Sequence, residues 1–262
     1  MHEGLRLALV QFARGEKREE NLRRMVDLLS TISRVDLVCL PENWLGREVL
    51  EEKEWEGVLE VLAEISRDGK FSLLTGGTYL REGKKILSKC YALNNEGKIV
   101  GRSDKLFPSK STGERSFLSR GEIFGPLKLA GTKVGVVICV DVLYPEVCRV
   151  LCSRGVQLLL NPSNIPENRV ETWKYVGVTR ALENGVFFAF VNNTSSYYPD
   201  GRRVVGHSFV VSPKGELLTE AGEEETILKV GLNFSLLKEA RSRWPFLEDT
   251  SKWWRRGFFG SG

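Results

Sequence analysis

Histidine is nearly missing: among 262 residues there are only His2 and His207. A histidine-assisted nucleophile would have to rely on His207, which stands in a strand-like segment, because His2 belongs to the chain's very start. The five cysteines are an odd number and none has C-x-x-C spacing, which argues against a disulfide framework, a zinc ribbon or a thioredoxin-like redox pair. No apolar run approaches the ~20 residues of a membrane span. Met1 to Arg6 lacks the pattern of a secretory signal, so a cytoplasmic location is expected. There is no Pro/Gly/Ser-rich linker, and a single domain over residues 1–262 is expected. Nor is there a block of like charge: the net charge of +4 is spread over interspersed Lys, Arg, Asp and Glu, which gives no footprint for nucleic acid or a membrane surface. G-x-S-x-G, Walker, G-x-G-x-x-G and H-E-x-x-H motifs are all absent. The only glutamines are Gln11 and Gln157, and with 27% charged residues this bias points towards a protein from a hot environment.

What is present is an alternation of strands and helices. Leu5 to Phe12 reads as a strand, Glu19 to Ile32 as an amphipathic helix, and Val35 to Leu40 as a buried strand closed by Pro41-Glu42-Asn43. Glu51 to Ser66 reads as a second helix, followed by strands broken at Gly76-Gly77, Glu82-Gly83 and Asn94 to Gly97. The pattern recurs in the second half. Strand Val134 to Cys139, a helix to Ser153, strand Val156 to Leu160 and a helix from Glu171 to Glu183 lead into Val186 to Val191, with hairpin-like strands beyond. This order implies an α/β protein of two mixed sheets with helices packed outside them. The tail, residues 234–262, holds Trp244, Phe246, Trp253, Trp254, Phe258 and Phe259 among Arg and Lys. It packs either on its own domain or at a subunit interface, where aromatics and Arg are enriched.

Cys139 ends a near-continuous β-branched run and is followed by Tyr144-Pro145-Glu146, which opens a helical pattern. A thiol at such a junction is expected near the positive end of a helix dipole, which favours the thiolate. A lone cysteine is more often a small buried hydrophobe. That reading suffices for Cys39 and Cys90, and for Cys148 and Cys152, which share a helix face with no histidine nearby to complete a metal site. Glu42 ends one buried strand as Cys139 ends another, and active sites of open α/β sheets gather at the carboxyl ends of strands. Glu42 is therefore a candidate general base. Between the two lie Lys105, in the segment Gly101 to Pro108, and Glu114 a few residues later.

In this order and spacing the residues resemble the nitrilase superfamily of carbon-nitrogen hydrolases. The resemblance rests on Leu7 to Phe12, Leu40-Pro41-Glu42, Gly101 to Pro108, Cys139-Val140-Asp141 with Tyr144-Pro145-Glu146, Arg180 to Asn184, and Ser208 to Gly215. It implies an α-β-β-α sandwich that pairs with a second copy, most simply as a homodimer, and a Glu-Lys-Cys triad at Glu42, Lys105 and Cys139. Glu114 matches a supporting glutamate near the lysine. The implied chemistry needs no cofactor or metal. Glu42 takes the Cys139 proton, the sulfur attacks a small-molecule amide, and Lys105 with the Val140 backbone N–H stabilises the oxyanion, such donors being worth ~3 kcal/mol each. Glu42 then protonates the departing amine and activates the water that hydrolyses the thioester.

Nitrile-cleaving members commonly carry Trp-Glu after the cysteine, whereas Val140-Asp141 stands here and favours an amide. Relatives acting on small ω-amides often have Arg where this chain has Leu143, which weighs against carboxylate-bearing substrates. Further pocket candidates are Asn43 and Trp44, the loop Asn161 to Asn164, and Trp173, although Asn is common in turns and Trp in cores. The competing readings are nitrile or N-carbamoyl hydrolysis, acyl transfer by the same triad, and a catalytically silent binding or assembly protein of the same fold.

Overall fold

The computed structural model describes residues 4–254, the last two of them without their side chains. His2, the side chains of Trp253 and Trp254, and Phe258 and Phe259 therefore lie outside the described residues.

The first sheet starts from strand Gly4–Ala13, which pairs in parallel with Leu37–Cys39, itself parallel to Ser72–Leu74. Helices Arg18–Ser30 and Glu52–Gly69 make the two crossovers. Antiparallel strands Lys85–Leu93, Thr78–Glu82 and Ile99–Asp104 extend one side of this sheet, and Thr226–Asn233 runs antiparallel to the first strand on the other. The second sheet repeats the plan. Thr132–Val136, Leu158–Pro162 and Phe187–Val191 are parallel, are crossed by helices Pro145–Ser153 and Val170–Asn184, and are flanked by antiparallel Leu127–Leu129 and Phe209–Val211 with Leu217–Glu220.

The side-chain period of two sorts the first strand between two cores. Leu5, Leu7 and Leu9 face the second sheet and pack with Val134, Val136, Leu158 and Leu160. Ala8, Val10 and Phe12 point the other way and pack with Met25, Leu29, Trp55, Leu59 and Leu62 of the first two helices. Helix, sheet, sheet and helix thus stack in the expected α-β-β-α order.

Local chemistry sets the element ends. The Glu54 carboxylate accepts the Glu51 N–H at 2.9 Å, which caps the helix that begins at Glu52. Gly185 closes the fourth long helix at φ 57°, a left-handed conformation that glycine adopts without strain. The expected strand reaching Cys139 stops at Val136 instead. A 3-10 turn over Cys139–Leu143 intervenes, and the helix begins only at Pro145. No helix among the described residues is long and apolar enough to cross a membrane.

Candidate active site

Both halves of the sandwich send the carboxyl ends of their parallel strands to the same place. Glu42 lies three residues beyond strand Leu37–Cys39 and is braced through its backbone: its N–H donates to the carbonyl of Ser163, just past strand Leu158–Pro162 of the second sheet, at 3.2 Å, and its carbonyl accepts from Asn193 Nδ2 at 2.7 Å. Gly76 supports the turn from behind. At φ 70° it sits so close to Pro41 that a Cβ would collide with the Pro41 carbonyl, so glycine is required there both for conformation and for space.

Lys105 follows strand Ile99–Asp104, and its Nζ donates to Glu42 Oε1 and Glu114 Oε1, both at 2.8 Å, with all three side chains nearly excluded from solvent. Glu114 sits on a short 3-10 turn and also accepts from Tyr79 Oη at 2.7 Å and from the Ser109 N–H at 2.6 Å. Asp141 joins the lysine segment to the cysteine turn: its two oxygens accept the N–H groups of Leu106 and Phe107, each at 2.9 Å. Asn161 secures the turn from the next strand by donating to the carbonyls of Val137 at 2.6 Å and Cys139 at 3.1 Å. Cys139 itself is held at φ 47°, a conformation that costs a non-glycine residue on the order of 1 kcal/mol or more and clusters at functional sites. The first bond of its turn runs from the Asp141 N–H to the Ile138 carbonyl, so the Val140 N–H precedes any bond within the turn.

The electrostatics separate the two carboxyl groups. Burial, partly countered by the Lys105 charge, raises the Glu42 pKa above the ordinary carboxylate value. Burial acts on Glu114 in the same direction, but there Lys105 and the hydrogen bonds from Ser109 and Tyr79 prevail and lower it. Burial alone would discharge Lys105; Glu42, Cys139 and Glu114 outweigh it and hold the ammonium well above its usual pKa. The expected low-pKa thiolate is not found. Burial first, and then the charges of Glu42 and Glu114, push the Cys139 thiol well above its usual value despite Lys105. The helix dipole cannot offset this, since the α-helix starts only at Pro145 and dipole effects fall off within a turn.

The family model described as "Carbon-nitrogen hydrolase" matches residues 6–242. The chain belongs to that family. The 2-oxoglutaramate amidase of Bacillus subtilis (strain 168) is 27% identical over 243 residues, covering 90% of this chain and 93% of the relative. The omega-amidase NIT2 of Mus musculus is 28% identical over 264 residues, covering 93% and 94%. Among solved structures, a carbon-nitrogen hydrolase from Helicobacter pylori G27 superposes with a TM-score of 0.86 at 22% identity, covering 95% of each chain.

In this carbon-nitrogen hydrolase, Glu42, Glu114 and Cys139 line one narrow cleft with Asn43, Arg47, Tyr79, Ser109, Thr112, Asn164 and Tyr198. Lys105 bridges the two glutamates. Of the pocket candidates read from sequence, Asn43 and Asn164 are on its wall, whereas Trp44 and Trp173 are not. Trp44 is fully buried in the helix-side core, edge-on to Phe12, with its indole N–H donating to the Thr75 carbonyl at 2.8 Å. Trp173 packs in the core of the second sheet. Both are large apolar surfaces that burial claims first. His207 stands apart from the cleft, with Nδ1 3.3 Å from Glu220. Cys39, Cys90, Cys148 and Cys152 are buried and free, and burial pushes the Cys90 and Cys148 thiols up to about 12.

Sequence reasoning missed Arg47, Tyr79, Asp141 and Asn193. Asp141 follows Cys139 by two residues and was visible as a motif member, though its capping of the lysine segment was not. Asn193 and Tyr79 gave no signal, because each meets its partner in the site from far away in the sequence.

Proposed function

We propose that this enzyme hydrolyses a small linear amide through a thioester on Cys139, with Glu42 as the proton carrier and Lys105 as an oxyanion donor. The observation that carries the reading is the Lys105 ammonium bridging, at 2.8 Å from each, Glu42 and Glu114, the two glutamates that line one cleft with Cys139. Two carboxyl groups whose pKa values are driven apart suit two roles. Glu114, held ionised, acts as the fixed counter-charge that positions Lys105; Glu42, raised towards neutrality, accepts and returns a proton.

In the first half-reaction the Sγ–H proton passes to Glu42 as sulfur bonds to the carbonyl carbon. The high thiol pKa calls for this coupling, since little thiolate exists beforehand. The oxyanion is met by the Lys105 ammonium and the Val140 N–H. As the tetrahedral intermediate collapses, the carbon–nitrogen bond breaks, Glu42 gives its proton to the leaving nitrogen, and ammonia or an amine departs. Water then attacks the thioester, losing a proton to Glu42, and the acid leaves as the thiol is re-formed. Every proton and charge has a residue on this route, which calls for no cofactor or metal. The relatives named for 2-oxoglutaramate and ω-amides act on small linear amides, which supports the same substrate class here.

Ammonia release across aliphatic amides, ω-amides, N-carbamoyl compounds and nitriles, with Cys139→Ala as control, tests the reading. Turnover of an amide class that vanishes in the variant is expected. Turnover of nitriles alone, or release only when an acyl acceptor is supplied, would replace amide hydrolysis with one of those reactions.

The reading extends to assembly and location: one domain over residues 1–262, working in the cytoplasm as a homodimer with residues 234–262 at the interface. Tyr175 and Leu182 on helix Val170–Asn184 are exposed, as are the stacked rings of Trp244 and Phe246. Apolar and aromatic side chains of this kind support a subunit contact. Sedimentation of the full chain and of a Trp244→Glu variant tests it, with a shift from dimer towards monomer expected.

A further inference from the structure

The loop that carries Glu42 continues through Arg47, whose guanidinium lies on the cleft wall. Nη1 of Arg47 is buried with no hydrogen-bond partner, and its guanidinium carbon stands 4.9 Å from the centroid of the Tyr198 ring. The cleft's two carboxylates do not answer it, because both are engaged by Lys105. A second guanidinium lies behind: Arg14 is buried and donates to the Asn43 carbonyl at 3.2 Å and Asn164 Oδ1 at 3.4 Å, neither of them charged. Burial, and after it the charge of Arg47, lowers the Arg14 pKa, so the two cations act on each other. Thr112 Oγ1, on the same wall, is likewise buried without a partner.

A buried donor without an acceptor is costly, and more so when charged. Adjacent guanidinium groups with an unused N–H and a hydroxyl make a favourable place for an anion. The planar fork of arginine matches a carboxylate, and the hydroxyl offers one more donor. Tyr198, stacked beneath Arg47, holds the fork in place.

We propose that Arg47, assisted by Thr112, binds the carboxylate of an acid amide, so that the substrate is the monoamide of a short dicarboxylic acid. This rests on the amide-hydrolase reading and adds to it the residue that selects the substrate. Leu143, at the position where arginine is found in relatives acting on ω-amides, is exposed and does not line the cleft. The cation that the sequence lacks there is supplied from the loop after Glu42.

The test compares succinamate, which carries a carboxylate, with succinamide, its neutral counterpart, in the wild-type full chain and in Arg47→Met and Arg47→Lys. The wild type is expected to prefer succinamate. Arg47→Met should lower the succinamate-to-succinamide ratio of kcat/KM by about 10- to 100-fold, the range for losing a charge-assisted hydrogen bond, with most of the change in KM; Arg47→Lys should restore part of it. Turnover of succinamide reports that each variant is folded. An unchanged ratio in Arg47→Met overturns the assignment and leaves amide hydrolysis standing. If the wild type hydrolyses neither compound, succinate binding by calorimetry decides: binding that weakens in Arg47→Met supports the carboxylate site, and no binding by the wild type overturns it, while the amidase reading stands or falls by ammonia release from the wider set of amides.

Discussion

Removing the Lys105 ammonium while keeping its bulk, as in Lys105→Met, separates catalysis from structure. The ammonium is almost completely buried between Glu42 and Glu114, 2.8 Å from each. Deleting one partner of a buried ion pair costs about 3–5 kcal/mol, because the remaining charge is left uncompensated. Here two carboxyl groups lose one cation. Glu42, whose pKa is already raised, should escape part of the cost by taking up a proton, and Glu114 should rise with it. A carboxyl group whose folded pKa lies above its unfolded value contributes stability at low pH and loses it as pH climbs through the folded pKa. The variant should therefore be closest to wild type near pH 5 and fall furthest behind at pH 8, as read by urea unfolding at each pH. Adding Glu114→Gln, which removes one unpaired charge, should recover stability at pH 8. It should not recover turnover, which loss of an oxyanion donor lowers by about 100- to 1,000-fold. Turnover within tenfold of wild type, with stability lost as described, would reduce Lys105 to a structural ion pair and refute its catalytic role. A stability deficit independent of pH would refute the electrostatic account of the cluster.

The Cys139 thiol, raised well above its ordinary pKa by burial, should alkylate slowly at pH 7 and faster as pH rises; a rapid reaction that levels off below pH 7 would reveal a preformed thiolate. Asp141 is pushed up from 3.8 to about 7, mainly by burial. Its contribution to stability should thus be lost between about pH 4 and pH 7, so Asp141→Asn should gain on wild type across that window in urea midpoints, and parallel curves would contradict the raised pKa. Gly76→Ala, which drives a methyl group into the Pro41 carbonyl at a left-handed φ, should cost on the order of 1–3 kcal/mol and depress turnover by displacing Glu42; a neutral thermal melt would sink this reading. Trp44→Phe removes one buried hydrogen bond and should cost about 1 kcal/mol with KM unchanged, whereas a rise in KM would return Trp44 to the substrate site.

Elements that rest on local periodicity were readable to within a few residues. Helix Val170–Asn184 was expected from Glu171 to Glu183, and the first strand, expected from Leu5 to Phe12, runs from Gly4 to Ala13. The stretch around Cys139 was misread because β-branched residues extend the strand pattern past Val136. There the chain leaves the ladder for a 3-10 turn, whose shape depends on Asn161 holding the Val137 and Cys139 carbonyls from the neighbouring strand. The state of the thiol was misjudged for a related reason: the sequence suggests a helix start, but the depth of burial is a property of both sheets.

By itself the sequence determined the alternation of strands and helices, the four residues Glu42, Lys105, Glu114 and Cys139 as members of one constellation, and the family, because strand ends and motif order are encoded along the chain. Only the tertiary structure decided that one ammonium bridges two glutamates, that Trp44 belongs to the core while Arg47 faces the cleft, and that Asn193 braces the Glu42 backbone from 151 residues away. Charge balance, solvent exclusion and hydrogen-bond satisfaction depend on which side chains meet across two packed sheets, and a linear pattern fixes the face each residue takes without fixing the partner it finds there.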